Sequence, residues 1–439
     1  MSLTDVEKTT VQNPSRTHKE SRQRKDTKAT KATKEAWARA ALALTAVGWS
    51  ANQFAPMVLL YRERMGVSAS AAEAIFGLYA AGLVPGLLVA GPLSDRVGRR
   101  PVVAFAVLLS MLSGVVLMLG SHGLAWLSTG RVLMGVASGA AFSAGSAWVK
   151  ELSATNAAAG AGARRASIAM TAGFGIGPLV AGVLVQWGPT AYETPYIPQL
   201  ILAAAALAML SRTPETMQRR QSFEGRFGVL SGGLLRLRGF SDRRFVGVVL
   251  PMAPWVFGAA TIAMVYLPGL TASHVKGISL FYAGAAAMVT AMSGVLIQPF
   301  ARRVAASPAG QDRARPRLLT LGVALVTVGT LADAGVAALS GLGAWQAVLT
   351  LVAAVVMGFG YGVLLVFGLA EVQRLAPPED LAGMTAVFQA FTYLGFAAPY
   401  LLSALKNVAA PSTLLLVVAA LGVLTMVVTL RNARATAGR

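Results

Sequence analysis

A polytopic all-α membrane protein is the fold class this sequence predicts, and three observations predict it. The 439 residues are 55% hydrophobic and only 13% charged, where a soluble domain carries about 25% charge. Apolar runs recur at the roughly 20 residues that a spanning helix needs. Lys and Arg crowd into alternate loops, which is how a membrane chain fixes its orientation. No strand-like alternation competes, and the runs are too long for the strands of a transmembrane barrel.

Residues 1–35 come first and are polar, rich in Lys, Thr and Ser, without an apolar period. Such a segment buries too little to fold and is expected to be a disordered basic tail. It lacks the short charged start followed by an apolar run that marks a signal peptide. Six spans follow, at 37–61, 70–93, 101–120, 124–149, 165–187 and 195–212. Trp37 and Arg39 sit where an interfacial anchor belongs. Residues 213–243 form the longest loop, in which leucines interleave with Arg219, Arg220, Arg226, Arg236 and Arg238. The loop reads as a solvated linker or as a short amphipathic helix on the membrane surface. Six more spans occupy 244–270, 277–299, 317–338, 343–370, 381–404 and 411–430, before a tail at 432–439. The chain thus divides into a six-helix bundle at 36–212, a linker, and a second bundle at 244–431.

There is no cysteine, so disulfides, thiolate nucleophiles and zinc-thiolate sites are excluded. His18, His122 and His274 are scattered, and no metal or other cofactor is expected. The net charge of +20 follows the predicted topology. Arg131 lies inside a span, and only Arg62, Arg64, Lys276 and Lys406 fall in one set of loops. The other 33 basic residues lie in the opposite set and the termini. Positive loops stay cytoplasmic, so both termini are expected inside, at a plasma (inner) membrane whose anionic lipid attracts them. Nucleic acid is not an expected partner. No nucleophile-base pair or phosphate loop points to an enzyme.

The turn Gly91-Pro92-Leu93-Ser94-Asp95-Arg96-Val97-Gly98-Arg99-Arg100 separates spans two and three. Gly91 allows close approach to a neighbour, Gly98 permits a sharp bend, and Asp95 is an anion at a helix boundary. The turn resembles the loop of the major facilitator superfamily whose pattern reads G-x-L-[SA]-D-R-x-G-R-[RK]. That resemblance implies two rocking six-helix bundles, with Gly91, Asp95, Arg96, Gly98, Arg99 and Arg100 latching the halves in the outward-facing state. A worn copy, Gly294 to Arg303, follows span eight at the same spacing, with Gln298 for the acid and Ala301 for the glycine. Duplicated transporter halves leave such internal repeats.

Span four holds Arg131 followed by Gly135, and burying an arginine costs roughly 2.5–3.5 kcal/mol on insertion scales. It resembles the superfamily's R-x-x-x-G motif, whose arginine is implicated in proton coupling. Span five holds Gly173, Gly177, Pro178 and Gly182, a smooth face with a missing helical hydrogen bond. It resembles the antiporter signature G-x-x-x-G-P-x-x-G-G, with Ala181 in place of one glycine, and this favours export over uptake.

Polar and aromatic residues inside spans mark the candidate cavity. They are Trp49, Asn52 and Gln53 in span one, Trp255 in span seven, Tyr361 in span ten, and Gln389 and Tyr393 in span eleven. Their lack of fixed charge suits an amphipathic, uncharged or weakly charged ligand. Many drug-proton antiporters of the family carry an acid in span one, whereas this chain has Asn52-Gln53. The first half is read as having no carboxylate deep in a span. Asp333, about 24 Å along span nine at 1.5 Å per residue, is the remaining candidate for carrying protons. The expectation is therefore a monomeric, proton-coupled exporter of a small molecule. Uptake of a sugar or metabolite and a non-transporting membrane sensor are the alternatives.

Overall fold

The computed structural model describes residues 35–154, 161–217, 242–306, 311–339, 341–377 and 380–435. The tail at 1–34 and most of the expected linker, 218–241, lie outside them. Within the described residues the chain is helical throughout. Ten helices are long and apolar enough to cross a membrane. Two more segments complete the pattern: Thr194–Leu210 is shorter, and 35–65 is broken once.

In chain order the helices are α1 (35–65), α2 (Ala69–Val97), α3 (Arg99–His122), α4 (Leu124–Ala154), α5 (Ala161–Trp187) and α6 (Thr194–Leu210). The second set is α7 (Phe245–His274), α8 (Ser279–Ala306), α9 (Gln311–Ala338), α10 (Ala344–Leu375), α11 (381–407) and α12 (Pro411–Ala435). The ends are set by local chemistry. Gly66 closes α1 at φ 67°, a left-handed conformation that favours glycine. Ser68 caps α2 by accepting from the Ala71 amide at 3.2 Å. The first span runs on to Met65 and the last to Ala435, beyond the expected ends, because amphipathic basic residues continue the helices past the apolar run.

Two sequence expectations are corrected. The stretch from Gly91 to Val97 is not a loop but the last two turns of α2, and the turn itself is Gly98 alone at φ 106°. Pro92 is accommodated inside that helix. Span one is not one continuous helix. It breaks at Gln53 between two helical segments, where Pro56 cannot donate to the Asn52 carbonyl.

Each half is held by close helix crossings. At α2–α4, an added Cβ would lie 2.7 Å from the Val136 oxygen at Gly86, 2.7 Å from the Leu83 nitrogen at Gly135, and 2.5 Å from the Leu87 nitrogen at Gly139. The corresponding α8–α10 crossing brings Gly358 against Thr290, with 2.7 Å from an added Cβ to its oxygen, and Gly362 against Gly294. Lipid tails are as apolar as leucine, so helices associate here through packing, and only small residues let backbones meet.

The halves meet along α2–α11 and α5–α8. Phe76 and Tyr79 of α2 pack on Phe396 of α11, with ring centroids 5.5 and 5.6 Å apart. Gly182 of α5 faces Gly284 of α8, its added Cβ falling 3.0 Å from the Gly284 Cα. These contacts gather toward the face opposite the described chain ends. Gly135→Val should therefore destabilise the first bundle by about 1–3 kcal/mol through overpacking, read as a lower thermal midpoint of the purified protein. An unchanged midpoint would contradict a rigid α2–α4 crossing.

Candidate functional site

Two polar regions carry the sequence-predicted residues: a charged cluster on the face that bears the chain ends, and a partly polar core between the halves.

The charged cluster is built on the α2–α3 turn. Asp95 and Arg99 flank Gly98 and pair at 2.6 Å. Arg99 is 8% exposed, and its guanidinium also donates to Ser94 Oγ at 2.6 Å and to Glu151 Oε1 of α4 at 2.9 Å. The Arg99 and Arg100 amides at the start of α3 donate to Glu215 at 2.9 and 2.8 Å. Glu215 thus caps α3 from beyond the end of α6. An anion there satisfies free N–H groups and meets the positive end of the helix. Thr216 donates to Glu151, and Trp148 Nε1 donates to the Pro214 oxygen at 3.2 Å. The first residues of the expected linker, 213–217, therefore belong to the first bundle. Glu215 was missed because its partner lies more than 100 residues away, and nothing local marks it.

Arg96 and Asp95 are exposed and Arg100 is half-buried. Gly91 abuts α4, where its added Cβ would lie 2.8 Å from Ser143 Oγ. Asp380, which opens α11, makes no side-chain cap bond. Among the described residues, every ion pair on this face joins residues of one half.

The second half departs from the first at the acid and at the glycine of the motif. Gln298 and Arg302 bond at 3.1 Å, at the same spacing as Asp95 and Arg99. Ala301 stands where Gly98 does and is helical. Alanine pays for a left-handed backbone, so Gln298–Ala306 stays one helical piece and the break falls at Ile297 instead. Glu371 of α10, matching Glu151, binds Arg244 and Arg374, both at 3.0 Å.

In the core, Arg131 is completely buried. Its guanidinium donates to the Ala51 oxygen at 3.1 Å and the Phe76 oxygen at 2.8 Å. The rings of Phe54, Phe76 and Tyr79 surround it at 4.8–5.0 Å. Carbonyl dipoles and ring faces stand where a carboxylate partner could have been. The Ala51 carbonyl lies just before the break in α1, so the broken helix and the buried cation support each other.

Around this point the aromatic rings form a bridge between halves. Phe257 stacks on Tyr393 at 4.8 Å, and both contact Phe396, each at 5.7 Å. Of this cluster only Tyr393 was singled out from sequence. The others look like ordinary apolar residues until the helices converge. Asn52 Nδ2 reaches the Phe174 oxygen at 3.4 Å. Trp49 Nε1 and both Gln53 amide atoms are buried without hydrogen-bond partners. Gln389 is half-buried near Tyr393 on α11.

Other candidates pack inside one bundle. Trp255 donates to Thr425 Oγ1 of α12 at 3.1 Å, and Tyr361 to the Ala291 oxygen of α8 at 3.2 Å. Gly173 and Gly177 of α5 lie on the α1 backbone, where added Cβ atoms would meet Trp49 at 2.5 and 2.7 Å. Pro178 and Gly182 face Gly284. Asp333 is 2% exposed within α9 and near Tyr282 of α8, its oxygens unpartnered. The first half also buries an acid that the sequence reading did not single out: Glu73, near the start of α2, is 0% exposed. Among the described residues no three His, Cys, Asp or Glu side chains gather as metal ligands. Gly98→Ala should lower stability by about 1–2 kcal/mol, because its Cβ would also fall 2.6 Å from Glu215. Glu215→Ala should cost about 1 kcal/mol as a lost helix cap, and thermal unfolding of the double variant should show less than the sum. Full additivity would separate the two residues.

Comparison with known proteins bears on the whole chain. The structure is similar to a POT family transporter solved in complex with 5-aminolevulinic acid, with TM-score 0.67 and 15% identity over 90% of this chain and 94% of that one. It is similar to the nucleoside transporter NupG, with TM-score 0.69 and 10% identity over 90% and 98%. A peptide transporter POT in complex with alafosfalin gives TM-score 0.66 and 15% identity over 91% and 95%. At these identities the likeness is one of fold. No curated protein matches the chain closely enough to count as a relative. The model of the Major Facilitator Superfamily matches residues 40–399, nearly the whole helical region just described, and the chain is a membrane transporter belonging to the major facilitator superfamily.

Proposed function

We propose that the protein exports a small amphipathic molecule, uncharged or weakly charged, by alternating access and in exchange for protons. The observation that carries this reading is the glycine face of α5. One helix uses Gly173 and Gly177 to lie on α1 of its own half, and Gly182 to meet Gly284 of the other. A seam of small residues lets two packed bodies slide or rock without interlocked side chains resisting. In the sequence it takes the form seen in antiporters.

The contacts between halves favour a state closed on the face opposite the chain ends. On the end-bearing face, Asp95 pairs within its own half and awaits the other half. The latch would form when that face closes, bringing α11 and Asp380 to the α2–α3 turn. The orientation is read from charge: both termini cytoplasmic in the plasma membrane, basic residues toward anionic lipid, the protein acting as a monomer. The ligand would sit among Trp49, Asn52, Gln53, Gln389 and Tyr393, where unpartnered indole and amide groups meet aromatic faces. Solved structures of this fold are in complex with small molecules such as 5-aminolevulinic acid and alafosfalin. Arg131 would hold the broken α1 in register with α2 and α4 and set a positive field in the core.

An export screen over lipophilic toxins and dyes, with and without an uncoupler, tests this reading. Expressing cells should accumulate less of at least one compound, and the difference should vanish on uncoupling. Export that survives uncoupling would remove the proton-exchange part. Asp95→Asn should slow export about tenfold while leaving the protein inserted, the size of a typical coupling between states. Unchanged flux would remove the latch.

A further inference from the structure

Glu73 lies near the start of α2, under the face opposite the chain ends, and is fully buried. Its nearest cation is Arg62 of α1, 3.9 Å from Nη1 to Oε1. Neither carboxylate oxygen has a partner at full hydrogen-bond geometry. The groups that face it across the seam belong to the other half: Ser403 and Lys406 of α11, and Tyr266 of α7. Arg62 itself crosses the seam to α7, where a Cβ at Gly269 would run into its guanidinium.

The same seam is closed by neighbouring contacts between the halves. Glu63 Oε1 accepts from Ser279 Oγ at 3.1 Å. Gln186 Oε1 accepts from the Leu280 and Phe281 amides at 3.1 and 3.4 Å. Gln186 thus caps the start of α8 from the first half while Glu63 holds the Ser279 side chain beside it, and opening this face breaks these contacts together.

We propose that Glu73 is the carboxyl that takes up and gives off the coupled proton. This assignment rests on the proton-exchange reading above and names its site. A coupling carboxyl must be buried in one state, reach water in another, and lack a strong partner that travels with it. Glu73 is buried in this state, its ion pair with Arg62 of its own half is long at 3.9 Å, and Ser403, Lys406 and Tyr266 face it from across the seam that would open. Three other acids do not offer this combination. Asp333 lies inside the second bundle, Glu371 holds two arginines, and Glu151 holds Arg99. The step moves one proton between water and a Glu73 oxygen, with no other bond made or broken. Protonation cancels the attraction between Glu73 and the Lys406 ammonium across the seam, so the two forms of the carboxyl favour different states of the gate.

The absence of native cysteine allows a test without a known substrate. Ser279→Cys places a thiol inside the closed seam, and Val408→Cys, at 79% exposure, serves as an always-accessible control. Each full-length variant is placed in nanodiscs and labelled with a charged maleimide across a range of pH. Labelling at Ser279→Cys relative to Val408→Cys should change roughly fivefold on acidification, the lower end of typical coupling between sites. With Glu73→Gln added, the ratio should become flat with pH. Lys406→Gln, which leaves the buried carboxyl in place, should reduce the response. An undiminished response in Glu73→Gln, or in Lys406→Gln where Glu73→Gln fails to fold, would overturn the assignment. So would a flat ratio in the parent protein. Failure of the export reading is separate: it appears as uncoupler-insensitive export, whatever the labelling shows.

Discussion

Backbone-to-backbone contact between helices is the constraint on which the rest of this structure depends. In a bilayer, burying an apolar face against a neighbour gains little over leaving it in lipid, so association relies on close packing. The glycines at α2–α4 and α8–α10 supply that contact within each half. With those crossings fixed, Arg131 of α4 falls beside the Phe76 carbonyl of α2 and beside the break in α1. The charged turn after α2 falls beside Glu151 at the end of α4. Neither polar cluster would assemble if larger residues held α2 and α4 apart.

The two halves share this framework and differ where function asks for asymmetry. Gly98 takes a left-handed backbone and lets Glu215 cap the next helix. Ala301 at the matching place is buried and helical, and the break moves to Ile297. One methyl group therefore separates a sharp, acid-capped turn from a nearly continuous helix. The seams between halves differ in texture as well. The α5–α8 seam is smooth, through Gly182 and Gly284. The α2–α11 seam is filled by the rings of Phe76, Tyr79 and Phe396. Backbones meet directly in the smooth seam, whereas side-chain rings hold them apart in the other.

The first bundle also shows how a buried charge is held without a counter-charge. Arg131 meets two carbonyls and three ring faces. Each contact is modest in water, but together they compete with the cost of dehydration where water is absent. The break at Gln53 matters here, because a carbonyl at a disrupted helical turn is free to accept from a side chain. Gln53 and Trp49 keep buried polar atoms without partners nearby, and such atoms are where a ligand with complementary groups gains most.

The sequence by itself determined the helical membrane class, the division into two six-helix halves, the family, and the residues of the charged turn. Those features are local: apolar runs of bilayer length, the spacing of Lys and Arg, and a motif contained in about ten positions. It also marked Arg131 and the glycines of α5, because a charge or a glycine stripe inside an apolar run stands out on its own. Partners were decided only by the tertiary structure. Glu215 reads as one acid near a loop until it meets the start of α3, and Phe257, Phe76 and Phe396 read as plain apolar residues until three helices converge. Glu73 lay inside a predicted span and was overlooked, since its few neighbours along the chain give no sign of what faces it. Burial and the joining of the two halves are properties of helices far apart in sequence, and a one-dimensional pattern carries no record of which faces will meet.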